Sequence, residues 1–132
     1  MSLLDVRTYL EMVAKQELPP LIVSVALTGG VHGKETNPNL PETPQEQAQQ
    51  AFEAYKAGAS IVHVHARDPT TGYAAPSVNP NDYREVNSRI RELCPDVVIN
   101  NTTGGGLGSL TTEERVRSLE ANPEVASLNV DH

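Results

Sequence analysis

Apolar and polar positions switch between a helical and a strand period along the chain. Leu3, Leu4, Val6, Tyr9, Leu10 and Val13 recur at helical spacing and predict a short N-terminal helix ending before Pro19-Pro20. Leu21 to Leu27 is a β-branched run and predicts the first strand, stopped by Thr28-Gly29-Gly30 and followed by a polar loop through Pro41. Thr43-Pro44-Gln45-Glu46 then combines an N-cap threonine, a proline suited to the first helical position and a capping-box glutamate. This second helix is expected to run to Ala57, with Gly58 as its stop. Ser60 to His65 reads as the second strand and Asp68 to Ser77 as a loop. Asn79-Pro80 opens a helix ending near Cys94-Pro95, and Val97 to Asn101 forms the third strand. After the glycine run from Gly104 to Gly108, Thr111 and Glu114 make another capping box, for a helix reaching Asn122-Pro123. Val125 to Val130 is the fourth strand.

Strict alternation of helix and strand implies right-handed β-α-β units and a parallel sheet. Side chains alternate across each strand. Val23, Val25 and Leu27 share one face, as do Val62 with Val64 and Ala126 with Leu128 and Val130, and these should pack under helices. The opposite face carries Ser24, Thr28, His63, His65, Asn100, Thr102, Ser127 and Asn129 and grows more polar toward the strand C-termini. A doubly wound sheet buries both faces with apolar residues. A barrel whose interior opens into a catalytic mouth produces this asymmetry instead.

With 132 residues the chain holds one domain at most, and 38% hydrophobic residues make it globular. Tryptophan is absent and Phe52 is the one phenylalanine, leaving Val, Ile, Leu and Ala to build the core. A net charge of −7 argues against a nucleic-acid partner. No apolar run is long enough to span a membrane, and residues 1–18 do not read as a signal peptide. Cys94 stands alone and reads as a packed thiol, which suits a reducing, cytoplasmic setting.

The chemistry concentrates at His63-Val64-His65. Two residues apart on a strand, both imidazoles share one face with Cα atoms roughly 6.5–7 Å apart. From there two Nε2 atoms can converge on one cation at about 2.0–2.1 Å each, and zinc with an open position suits catalysis. The bland alternative is a pair of hydrogen-bonded interior histidines. His32, Glu35, Asp131 and His132 are the candidates within the chain for a third ligand. Arg67 carries a planar fork suited to a substrate carboxylate, or else to an ion pair with Asp68. The amides of the Gly104–Gly108 run form a possible anion nest, although the run matches neither nucleotide-binding glycine motif. His32 by itself reads as a solvated or structural residue.

Several motifs occur in order across about residues 20–130: Thr28-Gly29-Gly30, Pro38-Asn39-Leu40-Pro41 followed by Thr43-Pro44 and Glu46, Ala57-Gly58-Ala59, His63-Val64-His65-Ala66-Arg67, Thr102-Thr103-Gly104-Gly105, and Asn122-Pro123-Glu124 with Ala126-Ser127-Leu128-Asn129. Together they resemble the β-keto acid cleavage enzymes. That resemblance implies a (β/α)8 TIM barrel, a zinc ion, and a Claisen-type exchange in which a β-keto acid and acetyl-CoA give acetoacetate and a new acyl-CoA. It implies that His63 and His65 are zinc ligands and that Thr102, Gly105 and Ser127 bind substrate. Where family members acting on an aminohexanoate carry a glutamate that meets the substrate ammonium, this chain has Val31, so a cationic β-keto acid is not expected unless Glu35 compensates. Such a barrel needs about 250 residues. The four β/α units therefore look like its N-terminal half, residues 19–132, preceded by a helical extension over 1–18. The family's third zinc ligand, a glutamate, and its acid/base and arginine residues belong to the other half, so no catalytic residue is assigned within this chain. Unpaired sheet edges predict association, as a homo-oligomer or with another half. Two other readings remain: an amidohydrolase-type metal enzyme, which places its H-x-H pair on the first strand, and a non-catalytic barrel fragment.

Overall fold

The computed structural model describes residues 5–104 and 110–128. Helix α1 (Val6–Lys15) is followed by β1 (Ser24–Ala26), α2 (Pro44–Lys56), β2 (Ile61–Val64), α3 (Pro80–Leu93), β3 (Val98–Asn101), α4 (Thr112–Arg115) and β4 (Val125–Ala126). The strands form one parallel sheet in the order β1-β2-β3-β4. Spatial order that follows chain order without reversal is the winding of a (β/α) barrel, because a doubly wound sheet turns back on itself at a switch point. The loops that follow β1, β2 and β3 thus leave the sheet at one end.

The local signals act where the sequence puts them. Thr43 accepts from the Glu46 amide at 3.2 Å while Glu46 accepts from the Thr43 amide at 3.0 Å, and Thr111 and Glu114 repeat the arrangement. Asn79 caps α3. Val62, Val64 and Ile99 are fully buried on one sheet face, under Ala48 and Ala51 of α2 and Tyr83, Val86 and Ile90 of α3. Burial pushes the Tyr83 phenol up to about 12. Cys94 is buried and free, as a packed thiol should be. No helix among the described residues is long and apolar enough to cross a membrane.

Three expectations change. The first strand pairs over three residues rather than seven, because Leu21 and Ile22 lie exposed before the sheet begins. The last helix has one α-turn and then tightens into a 3₁₀ stretch, Val116–Ala121. Here the Ser118 carbonyl accepts from the Asn101 side chain at 3.1 Å, and the Ser118 hydroxyl donates to the Thr102 carbonyl at 2.6 Å. That backbone is drawn onto β3 and away from a regular helical ladder. Strand β4 is short, and Leu128, placed on the core face by alternation, is 83% exposed because no further element among the described residues covers it. The rest of the predicted fourth strand, residues 129–130, lies outside the described residues.

Candidate metal and acyl site

Register decides which residues meet. Ala26 lies beside His63, and His63 beside Asn100. His63 and His65 leave β2 on the face opposite Val62 and Val64, and both are partly buried. Their rings meet edge to face with centroids 5.0 Å apart, and their Nε2 atoms are 3.1 Å from each other. A tetrahedral zinc with two nitrogens at 2.0–2.1 Å holds them about 3.3 Å apart. The pair is therefore already close to the bite of one cation. His63 Nδ1 lies 3.2 Å from Asn100 Oδ1. With that nitrogen donating, the His63 Nε2 lone pair is free to accept, which is the tautomer a metal requires. Burial first, then the neighbouring charges of His63 and Arg67, holds His65 down at about 4, so its ring is neutral at physiological pH.

The other expected residues are distributed around this pair. The Thr102 amide donates to the Val64 carbonyl at 3.0 Å, and its hydroxyl accepts from the Gly104 amide at 3.0 Å. Ser127 Oγ accepts from the Thr103 amide at 2.9 Å, while Thr103 Oγ1 donates to the Ser127 carbonyl at 2.8 Å. These contacts lock the ends of β3 and β4 together. They also leave both the Thr102 and Ser127 hydroxyls with a proton to offer. Gly105, with residues 106–109, lies outside the described residues, as do the third-ligand candidates Asp131 and His132.

His32 and Glu35 do not join the imidazoles: among the described residues no group of three or more potential ligands gathers. Glu35 instead accepts from the Gly33 amide at 2.7 Å, and this contact lowers its pKa. Arg67 departs most from expectation. It makes no ion pair with Asp68; its fork is buried on the carbonyls of Ala74, Gly29 and His32.

Two contributors were missed as site residues. Alternation puts Asn100 on the histidine face without singling it out as the partner of His63. Gln47 gave no signal at all: it is fully buried in α2 and donates to the His65 carbonyl at 3.1 Å, tying the helix start to the strand end.

The family description "beta-keto acid cleavage enzyme" matches residues 20–132. The chain belongs to the beta-keto acid cleavage enzyme family. It is 42% identical over 109 residues to a 3-keto-5-aminohexanoate cleavage enzyme of Fusobacterium nucleatum, a match covering 83% of this chain and 39% of the relative. It is 43% identical over 111 residues to a 3,5-dioxohexanoate:acetyl-CoA acetone transferase of Paraburkholderia graminis, covering 83% and 34%. A 3-dehydrocarnitine:acetyl-CoA trimethylamine transferase of Rhizobium meliloti is 44% identical over 86 residues, 65% of this chain and 28% of the relative. The chain thus spans well under half the length of these curated relatives.

Proposed function

We propose that this chain supplies the metal- and acyl-binding half of a zinc-dependent enzyme exchanging a β-keto acid with acetyl-CoA. The supporting observation is the 3.1 Å approach of the two Nε2 atoms, with the outer nitrogen of His63 held by Asn100. His63 and His65 would hold the zinc, with a further ligand from outside the described residues. Bound zinc supplies a Lewis acid for the 3-keto oxygen and the negative charge that develops as the carbon–carbon bond breaks. The hydroxyls of Thr102 and Ser127, with Gly105, orient the substrate's carboxylate and oxyanion by donating to them. The reaction balances without a redox partner. The C2–C3 bond of the β-keto acid breaks, its acyl part passes to the CoA sulfur, and its acetate part takes the acetyl group to become acetoacetate.

Val31 is half-exposed in the loop beside the imidazole strand, and the Glu35 carboxylate is engaged within its own loop. Both favour a β-keto acid whose side chain is not an ammonium. A cytoplasmic homo-oligomer is the setting we propose.

The test is metal content together with acetoacetate release from acetyl-CoA and a panel of β-keto acids, using this chain and one extended to the relatives' length. About one zinc per chain is expected, with acetoacetate formed by the extended protein and zinc lost in His63→Ala and His65→Ala. Zinc absent after dialysis against excess metal, with no acetoacetate from the extended protein, overturns the reading.

A further inference from the structure

Arg67 is 2% exposed, and a buried guanidinium is costly unless its donors are satisfied. Its partners are neutral. Nη1 donates to the Ala74 carbonyl at 2.9 Å, and Nη2 to the carbonyls of Gly29, at 3.4 Å, and of His32. Among the described residues it makes no ion pair, and its Nε has no partner.

The acceptors lie in two different loops. Ala74 belongs to the loop after β2, which folds back through an antiparallel bridge between Arg67 and Pro76. Gly29 and His32 belong to the loop after β1, which is closed at its base by the Thr28 hydroxyl donating to the Pro41 carbonyl at 2.7 Å. Arg67 follows His65 by two residues, just past the end of β2. Since Ala26 lies beside His63, the β1–α2 loop leaves the sheet at the level of His65. The two carbonyls gripped by Nη2 flank Val31.

We infer that Arg67 is a positioning residue that fastens the β1–α2 loop to the segment just past β2 and so sets where Val31 stands beside the acyl site. The substrate carboxylate is left to other groups. The inference rests on the proposed function only for the chemistry done beside that loop. The tether itself stands apart from it.

The chain contains lysines at 15, 34 and 56, and only Lys34 lies in the β1–α2 loop. A lysine-specific protease therefore reports on the loop, with Lys56 as an internal reference. Arg67→Met should keep the stem and lose the fork, raising cleavage at Lys34 by about tenfold while Lys56 is unchanged. Unchanged cleavage at Lys34, or acceleration shared equally with Lys56 in a variant of native circular dichroism, overturns the inference. Should the variant not fold, the wild-type chain decides through 15N-arginine spectra: slowly exchanging Nη protons support the tether, and freely averaging ones overturn it.

In the extended protein a second readout separates positioning from clamping. Arg67→Met should narrow the kcat/KM ratio between a dicarboxylic and an uncharged β-keto acid by about tenfold, with zinc content retained. An equal loss for both substrates indicates a clamp and overturns the inference. If the wild type turns over neither, the proposed function fails and the Lys34 readout still decides the tether.

Discussion

An imidazole presents one nitrogen reliably only when the other is occupied, and His63 meets that condition through Asn100. Replacing Asn100 with leucine keeps much of the volume and removes the acceptor. Zinc affinity, measured by chelator competition, should weaken about 10- to 100-fold, with Asn100→Asp recovering most of it. The spacing H-x-H was legible in the sequence because strand alternation alone places both rings on one face. The Asn100 contact was not, because it depends on how β3 registers against β2, which no local signal encodes. Nor was the fate of Arg67. The chemistry of a guanidinium suits carboxylates and carbonyls alike, and only the course of two loops decides which one it meets.

At the scale of elements, local chemistry and local structure agree best where a cap is involved. The α2 start is reinforced by Lys34, whose ammonium pairs with Glu46; this contact, ahead of the Thr43 amide, holds the Glu46 carboxyl down at about 2. The sign follows from the lowered value. The charged form favours the fold, so its contribution is complete above the ordinary carboxylate range and fades as pH falls from about 4.5 through about 2. Both side chains are roughly 40% exposed, so solvent screening limits the pair to less than about 1 kcal/mol. Glu46→Gln should lower the urea midpoint at pH 6, and the difference should shrink as pH falls toward 2 and in high salt. Thr43→Ala removes the reciprocal cap and should cost about 1 kcal/mol at either pH, read from the same unfolding curves. Strand lengths and the 3₁₀ ending of the last helix were less legible. They are set by edge exposure and by the buried contacts of Ser118 and Asn101, each of which joins residues at least 16 apart in sequence.

For the molecule as a whole, the parallel order and one-sided polarity were readable from alternation, and the sheet leaves β1 and β4 as its outer strands. Beside them Leu21, Ile22 and Leu128 are 85%, 72% and 83% exposed, and α1 contributes no buried residue. Open strand edges flanked by apolar side chains recruit partners. Sedimentation velocity of the 132-residue chain should show association that increases with concentration, and a compact monomer across the range would contradict this. A different consequence concerns transplantation of loops. Because one guanidinium seizes the backbone at both 29 and 32, the distance between those two peptides is fixed by a side chain outside the segment. Insertions grafted from a cousin enzyme should seat only downstream of position 33, while any change in length between the two anchor points should unmoor the whole cassette.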